Sequence, residues 1–82
     1  MNILIKYCIA WNFLPQASRV EVELKANYPD LNIELIEGSG GIFDVECNGK
    51  LIYSKQAIEG HRFPNDGEIT KLIEQEEKKG YQ

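Results

Sequence analysis

Apolar and polar positions follow two different periods along this chain. Residues 2–7 are short, apolar and β-branched (Ile3-Leu4-Ile5 at their centre), which predicts a buried strand. From Pro15 to about Tyr28, Ala17, Val20, Leu24 and Tyr28 recur at spacings of three and four, the stripe of an amphipathic helix. The same stretch carries a competing signal, because Val20-Glu21-Val22-Glu23-Leu24 also alternates as a strand would. Helix is the better reading: Pro15 suits a first turn, where its missing N–H costs nothing, and Pro29 supplies a stop.

The period then returns to two. Leu31 to Ile36 alternates and predicts a second strand, Glu37 to Gly41 reads as a turn, and Ile42 to Cys47 reads as a third strand. Asn48-Gly49 is the strongest hairpin signal in the chain, and Lys50 to Ser54 follows it as a fourth strand. A loop from Lys55 to Pro64 leads to a last helix. Asn65 or Asp66 is its expected cap, Ile69, Leu72 and Ile73 its inward face, and Gly80 its stop.

The order is β-α-β-β-β-α. Its first three elements should form a right-handed crossover with parallel strands, and the hairpin should add a strand antiparallel to the first. The expected architecture is α/β (α+β): a four-stranded mixed sheet with two helices on one face, because each helix has a single apolar stripe.

Composition narrows the function. The 82 residues make one domain, 1–82, with a small core. A net charge of −4 argues against nucleic acid, since phosphate binding needs a basic face. No apolar run approaches the ~20 residues of a membrane span, so no membrane partner is expected. The N-terminus lacks the pattern of a secretory leader, which makes the cytoplasm the default compartment. Two cysteines are too few for a disulfide scaffold, and with the single His61 they form no metal-ligand cluster.

Chemistry concentrates in Tyr7-Cys8-Ile9-Ala10-Trp11-Asn12, at the turn between the first strand and the first helix. A cysteine there is where a thioredoxin-like fold places its reactive thiol. Four stretches in order carry a wider resemblance: Tyr7-Cys8-x-x-x-Asn12, Gly38-Ser39-Gly40-Gly41-Ile42-Phe43, Asn48 to Lys55, and Gly60-His61-Arg62-Phe63-Pro64. Together they resemble the selenoprotein W-related family, also called the Rdx or SelT/SelW/SelH group. That resemblance implies a thioredoxin-like fold and thiol-based redox work at a Cys-x-x-Cys or Cys-x-x-selenocysteine site. Glutathione or protein thiols are the implied co-substrates, with no bound cofactor.

Trp11 departs from the pattern, for it stands where the family carries its second cysteine or selenocysteine. Selenocysteine is encoded by UGA, and UGA read as tryptophan would produce this substitution. An ordinary divergent member that has lost redox function would produce it too. The implied catalytic pair is therefore Cys8 and position 11.

The residues themselves set further expectations. The start of a helix favours a thiolate at Cys8; the alternative is a small buried hydrophobe at a strand end. Cys47 should lie ~16 Å from Cys8 at the far end of the sheet, too far to pair with it. Ser39-Gly40-Gly41 either permits close approach of a substrate backbone or is a plain tight turn, and His61 and Arg62 either stabilise a thiolate or belong to a solvated loop. Trp11, Phe13 and Phe63 are candidates for an exposed apolar rim that suits a protein partner, with the core as the equal alternative for Phe13 and Phe63. Two functional classes follow: a small thiol or selenol oxidoreductase, or a non-catalytic interaction module docking through that rim.

Overall fold

The structure, a computed structural model, describes residues 1–80. The elements are β1 (Asn2–Cys8), α1 (Leu14–Asn27), β2 (Asn32–Gly38), β3 (Phe43–Cys47), β4 (Lys50–Ser54) and α2 (Glu68–Gly80). They form a four-stranded sheet of order β2-β1-β3-β4, with β1 parallel to β2 and antiparallel to β3. β3 and β4 close the antiparallel hairpin. This is the β-α-β-β-β-α mixed sheet that the periodicity predicts.

The ambiguous stretch resolves as helix, and burial shows why. Val20 and Leu24 are fully buried while Val22 is 69% exposed. A strand would have placed Val22 on the same side as both. Ala17 completes the buried stripe, and Tyr28 packs against the core just past the end of the helix.

One face of the sheet builds the core. Ile3, Ile5 and Tyr7 of β1 align with Cys47, Val45 and Phe43 of β3, and Tyr53 of β4 stands opposite Val45. All of them join Ala17, Val20 and Leu24 of α1 and Ile69 and Ile73 of α2 in a single cluster. Both helices therefore cover the same face. On the opposite face Lys6 pairs with Glu46 at 3.3 Å.

Element ends differ from expectation by a residue or two, for local reasons. β2 starts at Asn32 and runs to Gly38, because β1 offers pairing partners as far as Cys8. Asn48 and Gly49 both take positive φ (51° and 85°), the signature of the turn that matches strand twist. The cap of α2 is a larger difference. Asp66 is taken by Arg19 at 2.8 Å, and Gly67, at φ 81°, turns the chain into the helix. The side chain of Glu68 reaches back instead to accept from the Asn65 N–H at 2.9 Å, which is half of a capping box. α2 extends to Gly80, so what its expected stop leads into lies outside the described residues.

Candidate functional site

Cys8 is the last residue of β1 and is held from both sides. Its N–H donates to the Ile42 carbonyl at 2.9 Å, and the next N–H, of Ile9, donates to the Gly38 carbonyl at 3.2 Å. The strand thus ends in a notch between the end of β2 and the entry to β3. The chain then doubles back. The Asn12 N–H donates to Ile9 O and the Phe13 N–H to Cys8 O, each at 3.0 Å, with Asn12 at φ 58°. Phe13 O accepts from the Gln16 and Ala17 N–H groups, so α1 begins directly on this turn.

The turn is exposed and the cysteine before it is not. Ile9 and Trp11 are 54% and 62% exposed, whereas Cys8 is 0% exposed. Chemistry at Cys8 therefore requires a local opening that brings the thiol to solvent.

Trp11 does not hang free despite its exposure. Its ring lies across Gly41, which has φ 76°; a Cβ built there would come within 2.5 Å of the ring carbon Cζ3. The group packed against Gly41 is thus the Trp11 ring of the same chain. The neighbouring Gly40 carbonyl accepts from the Gln56 side-chain amide at 2.6 Å.

The rim expected from Trp11, Phe13 and Phe63 is the outer part of an aromatic ladder. Trp11 meets Phe13 edge-on at 5.9 Å between centroids, Phe13 meets Phe63 at 4.7 Å, and Phe63 meets the buried Phe43 at 5.2 Å. Phe13 and Phe63 are half-buried and link the exposed indole to the core. Lys55 was missed by sequence reasoning. Its ammonium lies 5.5 Å from the Phe13 centroid and 5.3 Å from that of Phe63. The signal available was its position immediately after the last residue of β4, at the Cys8 end of the sheet.

The loop after β4 is tied down rather than solvated. The Tyr53 hydroxyl donates to the Arg62 carbonyl, and Arg19 donates to the Pro64 carbonyl at 2.7 Å. Arg62 is engaged with Glu68 at 2.7 Å and 3.0 Å. That hydrogen bonding holds the Glu68 carboxyl below its usual range and raises the guanidinium further. His61 is exposed, at φ 47°, and makes no side-chain hydrogen bond among the described residues. Cys47 stands opposite Ile3, five residues down β1 from Cys8, or about 16 Å along the strand. Burial raises its thiol pKa, with Glu76 adding to the effect.

The comparisons with known proteins fall on this same frame. The model of the Rdx family matches residues 2–75, which includes both strands that hold the notch, the turn and the Lys55 loop. The chain belongs to the Rdx family. It is thereby a member of a thioredoxin-like redox family. Two curated relatives, migration and invasion enhancer 1 of Mus musculus and of Bos taurus, are each 30% identical over 73 residues. These matches cover 89% of this chain and 62% of each relative, so the chain spans under two thirds of their length. A crystal structure of a Bordetella parapertussis protein is similar with a TM-score of 0.83 and 25% identity, covering 92% of this chain and 95% of that one. A selenoprotein W-related protein from Vibrio cholerae shares the fold, with a TM-score of 0.79 and 22% identity over 90% of this chain and 92% of its own. Among the described residues no helix is long and apolar enough to cross a membrane.

Proposed function

We propose that this protein is a thiol or selenol redox protein acting through Cys8 and position 11. The observation that supports this most is the turn itself. Cys8 closes β1, its carbonyl accepts from Phe13, and position 11 lies three residues on, just before α1. A second thiol or selenol at position 11 would be placed on the same turn as Cys8, the arrangement by which a resolving group clears a mixed disulfide. With Trp11 the chemistry is monothiol: a mixed disulfide forms at Cys8 and is cleared by glutathione or a protein thiol, with no bound cofactor. The cytoplasm is the compartment where such reductants keep thiols reduced.

A second reading is favoured by a specific observation. Cys8 is buried while Ile9, Trp11 and Leu14 are exposed on the same end of the molecule. That pattern suits a protein-docking knob that has left redox work behind. Codon 11 separates the two: UGA supports a natural selenocysteine, UGG the docking module.

The protein test is Trp11→Cys. The redox reading expects the variant to lose two hydrogens under mild oxidation, mapped by mass spectrometry to a Cys8–residue 11 bond, and to regain them on reduction. A variant that stays a free dithiol in oxidising buffer, or that couples Cys8 to Cys47, sinks the redox reading.

A further inference from the structure

The sheet has two outer strands, β2 and β4, and they are finished differently. β4 is five residues long, opens with Lys50, and pairs with β3 through a register shift that leaves Ile52 without an opposite residue. Short length, a lysine and a bulge are common means by which an outer strand discourages pairing with another chain. β2 has none of them. It runs seven residues in unbroken register with β1, from Asn32 to Gly38, and contains no lysine, arginine or proline.

The backbone of β2 has a free side. The Asn32 N–H donates to the Met1 carbonyl, and the Gly38 carbonyl accepts from the Ile9 N–H. Even-numbered residues of β2 thus turn their backbone groups toward β1. The alternation of a strand turns those of Ile33, Leu35 and Glu37 the other way. Among the described residues no other element pairs with them there. The side chains along this edge carry one sign of charge. Glu34 and Glu37 are exposed, and neither has an ion-pair partner among the described residues. The one base on β1, Lys6, is paired with Glu46.

We infer that the outer edge of β2 is a docking site for an extended basic segment of another protein, which adds antiparallel to it as a fifth strand. The partner's backbone supplies the donors and acceptors that Ile33, Leu35 and Glu37 lack. The position opposite Glu34 falls between hydrogen-bonded pairs, where Cα atoms approach to about 4.5 Å and side chains are closest. A lysine or arginine there meets the carboxylate directly, and a second meets Glu37. Ile33, Leu35 and Ile36 are half-buried and extend best with apolar neighbours. From its N- to its C-terminus the partner therefore faces Glu37, Ile36, Leu35, Glu34 and Ile33 with basic, apolar, apolar, basic and apolar residues. A second copy of this chain does not fit that pattern. Its β2 brings no base, and each copy carries a net charge of −4. The docking edge does not depend on the redox reading of Cys8.

The probe is the acetylated and amidated peptide Thr-Arg-Val-Val-Arg-Val-Thr, titrated into isotope-labelled protein and followed by amide NMR. Saturable binding is expected. Hydrogen exchange should slow at the Ile33, Leu35 and Glu37 amides and change little at Glu34 and Ile36, whose backbone groups already face β1. Raising salt from about 20 mM to about 500 mM should weaken binding. Combining Glu34→Gln with Glu37→Gln should weaken it about fivefold, the range of two exposed charge pairs, and remove most of the salt dependence. The decisive arm exchanges the charges. A peptide with glutamate in place of both arginines should bind the double variant Glu34→Lys, Glu37→Lys and not the parent. No saturable binding of the basic peptide, or slowed exchange at amides other than these three, overturns the inference. Equal binding of the two peptides by the parent overturns it as well. So does slow exchange at the same three amides in the free protein that grows with its concentration, because a second copy then occupies the edge.

Discussion

Gly40 and Gly41 offer an internal control for the contact between Trp11 and the turn before β3. Both take positive φ, 69° and 76°, so alanine at either position meets the same backbone penalty. That penalty is about 1–2 kcal/mol for an L-residue, offset by roughly 0.4–1 kcal/mol from the lost freedom of glycine in the unfolded chain. Gly40→Ala should therefore cost about 1 kcal/mol, because a Cβ there meets nothing within 4 Å. Gly41→Ala meets the indole as well, with three ring carbons at 2.5, 2.9 and 3.0 Å. The ring is the far end of a side chain and largely exposed, so it yields rather than the backbone. Yielding forfeits its packing on the turn and its edge contact with Phe13, worth about 0.5–1.5 kcal/mol. Gly41→Ala should then cost about 1.5–2.5 kcal/mol in all. Urea unfolding followed by far-ultraviolet circular dichroism measures both variants. Repeating the pair in a Trp11→Ala background should bring the two costs together. Equal costs in the parent background, or a gap that persists without Trp11, would show that the ring does not rest on Gly41.

The same contact has a chemical consequence. Trp11→Ala should free the Ile9–Asn12 turn and speed iodoacetamide labelling of Cys8. Labelling of Cys47 should not change, since it is buried about 16 Å away with its thiol pKa raised. A rise at both cysteines would mean general loosening instead. The Arg62–Glu68 pair supplies a pH dependence. Glu68 is held below the ordinary glutamate pKa in the folded chain, so its stabilisation is complete above that ordinary value and is lost as pH falls through the lower folded value. Glu68→Gln should be less stable than the parent at neutral pH by roughly 0.2–1 kcal/mol, and the two should converge in acid. A gap that widens below pH 4.5 would contradict the pairing.

Periodicity alone determined the element order, because each strand and helix needed one buried face and the chain is too short for a third layer. Ile3 and Ile5 read as buried and are; Ala17, Val20 and Leu24 read as one helical stripe and are. Asn48-Gly49 specified its own turn, since few other dipeptides take positive φ twice at low cost. The notch at Cys8 was also legible, as a cysteine between a strand and a proline-started helix. Tertiary structure decided the rest. Cys8 is fully buried although the turn that follows it is exposed, and residue order carries no measure of that. Trp11 resting on Gly41 joins positions 30 residues apart. Arg62, a candidate for thiolate stabilisation by composition, was claimed by Glu68 because α2 starts where the guanidinium reaches. Lys55 acquired its place only when α1 and the loop after β4 brought Phe13 and Phe63 face to edge beneath it. Local pattern is encoded by neighbours along the chain. The partner of an exposed ring or a long charged side chain is set by what the fold places beside it, and a one-dimensional pattern does not contain that distance.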